Sequence, residues 1–239
     1  MKEFARRVLQ ATTPLGVFAF WAGIWMAGRR FPSEYDWRYM TLSSLLYPER
    51  NPAGHLWASG GIVLCGCCGF CWAGVLARGS RQRGAQERPI GIWALCLGYF
   101  CMVCCALLPE RLLPLSRGHE ILALLAFFAL CLGMVQITFR VVERCLLRRK
   151  YSATGDPRLY AGVLAGAALS PILLAGCAQA YVTYALPELP WVSLSWRTRG
   201  VPVYLSFALW QWVTCVVFSV YMAALSQATL MRTSLRSGG

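Results

Sequence analysis

The sequence predicts an all-α, polytopic membrane protein, a bundle of six transmembrane helices with both termini in the cytoplasm. Three observations carry that prediction. Hydrophobic residues make up 57% of the chain, where soluble domains stay near about 45–50%. Six apolar runs of roughly 20 residues recur, each long enough to cross a hydrocarbon core about 30 Å thick. Basic residues are dense in every second connecting segment, as the positive-inside rule requires.

The first span runs from Val8 to Gly28, behind Lys2, Arg6 and Arg7. It ends in "WMAGRR" with no small-x-small cleavage site, so it reads as a retained helix and not a signal peptide. The second covers His55 to Ala77. Asn51 followed by Pro52 suits a helix start, with asparagine as N-cap and proline at the first helical position. The third runs from Pro89 to Leu108. The fourth covers His119 to Phe139, with Ser116 placed to cap it and Glu120 in its first turn to suit the macrodipole. The fifth spans Leu159 to Leu186, and Pro171 within it predicts a kink near Ala167 because proline lacks an amide donor. The sixth runs from Pro202 to Ala228. Together they form a single domain over residues 1–239.

Orientation follows from arginine and lysine. The N-terminus, the second and fourth loops and the C-terminal tail hold fifteen of the 23 basic residues, against eight on the opposite side. The net charge of +13 is therefore a flanking charge for topology and anionic lipid, not a nucleic-acid surface. Six of the ten acidic residues and both histidines fall in the outer segments, so polar chemistry gathers on the non-cytoplasmic rim.

Eleven of the twelve cysteines lie inside the apolar spans and none in an outer loop, which leaves no extracellular disulfide framework. Cys65, Cys68 and Cys71 are read as one helical face, and Cys101, Cys104 and Cys105 as another. Their simplest role is that of small residues for close helix packing, together with glycine and alanine in "ASGG" and "AGVLAGAALS".

The first outer loop, "YDWRYMTLSSLLYPERNPAGH", concentrates chemistry that punctuation does not explain. Tyr35, Asp36, Trp37, Arg38 and Tyr39 form an aromatic and ionic cluster. The "TLSSLL" that follows is apolar enough to dip back toward the membrane, as an interfacial belt or as a lid. The third loop adds Glu110, Arg111, Arg117, His119 and Glu120; the fifth adds Trp191, Trp196, Arg197 and Arg199. Arginine beside tryptophan suits a lipid phosphate, because the guanidinium forks onto phosphate oxygens while the indole stays interfacial. His55 and His119 sit at the outer ends of their helices. With Asp36 they are the candidates for acid, base or ligand chemistry, although no metal-site spacing such as H-E-x-x-H joins them.

The order of spans, with "YD…TLSSL…RNPAGH" entering the second and "LLPERLLPLSRGHEILALLAFF" entering the fourth, resembles a family of prokaryotic six-span membrane proteins. That family is distantly similar to the fibroblast-growth-factor-receptor-activating and damage-regulated autophagy modulator group. The resemblance implies a six-helix bundle with an outward-facing polar site in a bacterial plasma membrane. It places Asp36, Ser43, Ser44, Asn51 and His119 at the matching polar positions and implies no catalytic assignment. A fainter echo of lipid-phosphate phosphatases fails at Ala53, which replaces their serine, and at Ala123, where their aspartate would stand.

The expected function is binding of a membrane lipid headgroup or small amphiphile. Asp36, Arg38, Ser43, Asn51, His55, Arg111, His119, Glu120, Trp196 and Arg197 would form the site, with no metal or cofactor. The alternative is a membrane enzyme acting on a lipid headgroup through His55 or His119, by acid–base or metal-assisted hydrolysis. A transporter ranks third, since the spans carry only Gln136, Gln179, Gln211 and scattered hydroxyls, with no inverted repeat.

Overall fold

The computed structural model describes residues 2–81, 90–108, 118–147, 157–187 and 196–234. Six long helices account for most of them: α1 (Lys2–Arg29), α2 (His55–Arg81), α3 (Ile90–Leu107), α4 (Gly118–Leu147), α5 (Pro157–Ala185) and α6 (Phe207–Ser234). The 3-10 turns Leu42–Leu45 and Val203–Leu205 lie in the connections, and no strand occurs among the described residues. α3 and α5 match their expected spans within two residues at each end, whereas α1 begins at Lys2 and not Val8, α2 runs on to Arg81 and α4 to Leu147. The sixth span differs at its start. There the residues after Pro202 form a 3-10 turn, Ser206 is extended (φ −73°, ψ 125°), and the α-helix starts only at Phe207. α5 runs through Pro171 as one helix.

Five helical stretches among the described residues are long and apolar enough to cross a membrane: Glu3–Arg29, His55–Ala77, Ile90–Leu107, Ile121–Arg140 and Phe207–Gln227. The outward faces agree with that solvent. Phe18, Trp93, Phe128 and Leu173 are all more than half exposed, which water would penalise and lipid does not. The chain is an integral membrane protein built from helices.

Each helix packs on its chain neighbours, and α6 returns to α1, so the helices close into a ring. Small residues set the closest approaches. A Cβ on Gly61 of α2 would stand 2.5 Å from the Ala19 carbonyl oxygen, and one on Gly23 of α1 2.5 Å from that of Trp57. At the α3–α4 contact a Cβ on Gly133 would lie 2.9 Å from the Gly91 carbonyl. Association in lipid rests on such close van der Waals contact, because the tails are as apolar as leucine.

Buried hydroxyls add directional contacts across the ring. Thr13 of α1 pairs with Ser226 of α6 at 2.8 Å, and the Trp72 indole of α2 donates to the same Ser226 oxygen at 2.7 Å. Tyr221 of α6 donates to the Met134 carbonyl of α4 at 2.8 Å. Around them pack Leu9, Trp72, Leu95, Tyr99, Leu130 and Met134, the core of one half of the bundle.

The cysteines divide by helical geometry. Cys65 is half-buried and Cys68 buried, but Cys71 is exposed. The expectation of one shared face fails there, because a step of three residues drifts about 60° each time on a helix with 3.6 residues per turn. On α3 Cys101 and Cys105 are buried and Cys104 is half-buried. No disulfide joins the cysteines at positions 65–131, 177 and 215.

Candidate functional site

The first loop folds back on the bundle as a cap. Its 3-10 turn buries Leu42, Ser44 and Leu45, with Leu45 at 0% exposure in a second core made by Phe20, Ile24, Ala58 and Trp212. The "TLSSLL" segment is apolar at these positions, and its burial against α1 and α6 is what makes it dip inward. Two backbone groups fasten it to α6. The Leu42 amide donates to the Gln211 side-chain oxygen at 2.8 Å, and the Trp212 indole donates to the Met40 carbonyl at 3.3 Å.

Asn51 is fully buried and corrects the N-cap expectation. α2 begins at His55, and the Asn51 side-chain nitrogen instead donates to the carbonyls of Ala27 and Leu45, each at 3.2 Å. It therefore ties the C-terminal turn of α1 to the cap, where helix carbonyls have no intrahelical donor. Gly54 makes room for it, since a Cβ at that position would collide with both ends of the Asn51 amide. His55 turns back on the same segment, its Nδ1 lying 3.1 Å from the carbonyls of Asn51 and Pro52.

Asp36 is the ionic centre of the rim. Arg38 reaches it with backbone N–H at 3.2 Å, Nε at 2.8 Å and Nη2 at 3.1 Å. Arg197 from the fifth loop adds Nη1 at 3.1 Å. The hydrogen bonds from Arg38 hold the Asp36 carboxyl below the usual carboxylate range, against the opposing effect of burial and with the charge of Arg197 in support. Beside this pair Tyr39 donates to the Val201 carbonyl at 2.7 Å, and Trp196 is buried against Val182 and Val201. Gly200, at φ 72°, makes the return turn that presents Arg197 to Asp36. The expected binding residues Asp36, Arg38, Trp196 and Arg197 thus clasp loop one to loop five.

Beneath the cap lies a central cavity of about 110 Å³. α1, α2, α3, α4 and α6 line it, together with Leu42, Ser43 and Leu46 of the cap. The walls are mostly apolar: Phe20, Ile62, Met102, Phe127, Leu130 and Phe218 among others. Polar groups gather at the loop-one end, with Ser43 in the cap, His119 in the first turn of α4 and Gln211 in the second turn of α6, while Ser219 adds a hydroxyl further along α6. His119 is buried, and its ring lies 5.2 Å from that of Tyr47, two residues after the cap turn, at a tilt of 47°.

Of the expected site residues, the structure brings Ser43 and His119 into one cavity and leaves His55 out of its lining. Arg111, with Glu110, Arg117 and Trp191, lies outside the described residues, and Glu120 falls in the first turn of α4. No group of three or more His, Cys, Asp and Glu among the described residues is arranged to hold a metal. Gln211 was not among the expected binders; its signal is a glutamine early in an otherwise apolar span, where an unpaired amide would be costly. Comparison with protein-family models, with curated proteins and with solved structures finds no match to this chain.

Proposed function

We propose that the chain is a six-span membrane protein, with both termini cytoplasmic, that binds the apolar part of a lipid or small amphiphile in its central cavity. The observation that carries the reading is the cavity itself, walled by hydrocarbon and edged on one side by Ser43, His119 and Gln211. Its volume of about 110 Å³ approaches the roughly 150 Å³ of an apolar cavity that admits benzene. It takes a ring or a short stretch of hydrocarbon chain, and the polar part of the ligand belongs at the hydroxyl, imidazole and amide of the rim. Asp36, Arg38 and Arg197 serve this reading by holding the cap closed over the cavity. α5, at 29 residues, is about 43 Å long at 1.5 Å per residue and supplies the sixth span.

Mass spectrometry of molecules retained by the purified protein tests the proposal. The wild type retains an amphiphile, and Ala123→Phe, which fills the cavity from α4, reduces the amount at least tenfold. His119→Gln and Gln211→Leu weaken retention less and alter which polar ends are held. Retention that is indifferent to Ala123→Phe in a folded protein overturns the reading.

A further inference from the structure

A second depression runs down the outside of the bundle between α1 and α6, at the end that carries loop one. Its volume is about 500 Å³, within the range of about 300–1,000 Å³ typical of ligand sites. Trp21, Ile24, Trp25 and Gly28 recur at helical spacing along one face of α1 and form one wall. Trp212, Val213 and Val216 of α6 form the other, and Tyr35 and Trp37 of loop one close the top. Ile24 and Trp212 are buried at its base, whereas Trp25, Trp37 and Val216 open outward, each about half exposed or more.

Arg29 makes this more than an apolar crease. It is exposed at the end of α1, with its guanidinium 5.4 Å from the centre of the Trp25 ring. No carboxylate among the described residues pairs with it: Asp36, one of the three acids of the same loop, is engaged by Arg38 and Arg197. The lining holds no acidic residue at all among the described residues. Gly28 leaves room in the groove wall, since a Cβ there would meet nothing nearer than a Tyr35 ring carbon at 3.9 Å.

We infer that this groove holds one anionic phospholipid from the leaflet on the loop-one side, its phosphate on Arg29 and an acyl chain along Ile24, Val213 and Val216. A planar guanidinium fork matches phosphate oxygens. Tryptophan walls suit the boundary between headgroup and hydrocarbon. A choline or ethanolamine cation would find no carboxylate in the lining, so a headgroup without a cation is preferred. The groove shares no lining residue with the central cavity, and neither site depends on the other.

The full-length protein, reconstituted in vesicles of equal phosphatidylcholine and phosphatidylglycerol and then extracted in mild detergent, provides the test, with retained lipid measured by mass spectrometry. The wild type retains phosphatidylglycerol in preference to phosphatidylcholine by about tenfold, the scale of a charge-assisted contact. Arg29→Gln abolishes the preference, Arg29→Lys restores part of it, and Gly28→Leu lowers retention of both lipids by filling the gap. Arg30, the residue after α1, lies over the Trp57 ring of α2 at 5.1 Å and outside the groove lining; it is the control, and Arg30→Gln leaves the preference intact. Equal retention of the two lipids by the wild type overturns the inference. So does a preference that survives Arg29→Gln, or one that Arg30→Gln removes equally, because either outcome places the effect in general surface charge.

Discussion

Asp36 and Asn51 stand 15 residues apart in loop one, and each does one physical job. Asp36 exchanges hydration for two guanidinium groups, and because its folded-state pKa is lowered, its linkage contribution has a definite sign. That contribution is complete above the ordinary aspartate range near about 3.9 and is lost as pH falls through the lower native value. Thermal melts followed by tryptophan fluorescence therefore show a stability step below that range in the wild type, and Asp36→Asn removes it. At neutral pH the same substitution costs roughly 1–2 kcal/mol, between an exposed pair and a buried one, because both arginines are about half exposed. Asn51→Ala costs more, about 2–4 kcal/mol, since it removes two buried hydrogen bonds and opens a void. Asn51 was legible as an important residue, but its role was misassigned. Asn-Pro reads as a helix start by local rule, and only the arrival of the Ala27 and Leu45 carbonyls turns its amide into a donor.

At the scale of elements, the crossing of α1 and α2 separates two adjacent glycines. Gly61 faces the Ala19 carbonyl at a distance no methyl group tolerates, while a Cβ on Gly60 meets nothing within 4 Å. Gly61→Ala is expected to lower stability by about 1–3 kcal/mol through overpacking. Gly60→Ala is expected to be neutral or stabilising by up to about 1 kcal/mol through helix propensity. Unfolding of the two variants in the same detergent checks the pair, and equal effects would mean that the helices do not cross there. The "SGG" stretch announces close packing in the sequence. Which glycine makes the contact depends on the rotation of α2 against α1. Rotation also decides the cysteines: the run from Cys65 to Cys71 wraps from the interior to the lipid face.

At the scale of the molecule, closure of the helix ring and the fold-back of loop one create the cavity. Ser43, His119 and Gln211 are 76 and 92 residues apart in order along the chain, and no spacing rule joins them. The proposed topology puts residues 29–54 opposite the N-terminus. An impermeant thiol reagent applied to intact cells should therefore label a cysteine substituted at Glu49 and not one at Glu3, in a background lacking the accessible native thiols. The reverse pattern would invert the bundle and place loop one at the cytoplasmic surface.

The sequence by itself determined the solvent, the class and the number of helical segments, because hydrophobic length and basic flanks are properties of contiguous chain that a bilayer reads directly. It also marked loop one as the polar centre and brought His119 and Ser43 into consideration. Only the tertiary structure decided that Asp36 and its arginines fasten the cap, that Asn51 braces it, and that a cavity and an outer groove lie on separate faces of the same helices. Those outcomes depend on helix rotation and on contacts between distant segments, which local propensity and periodicity leave open.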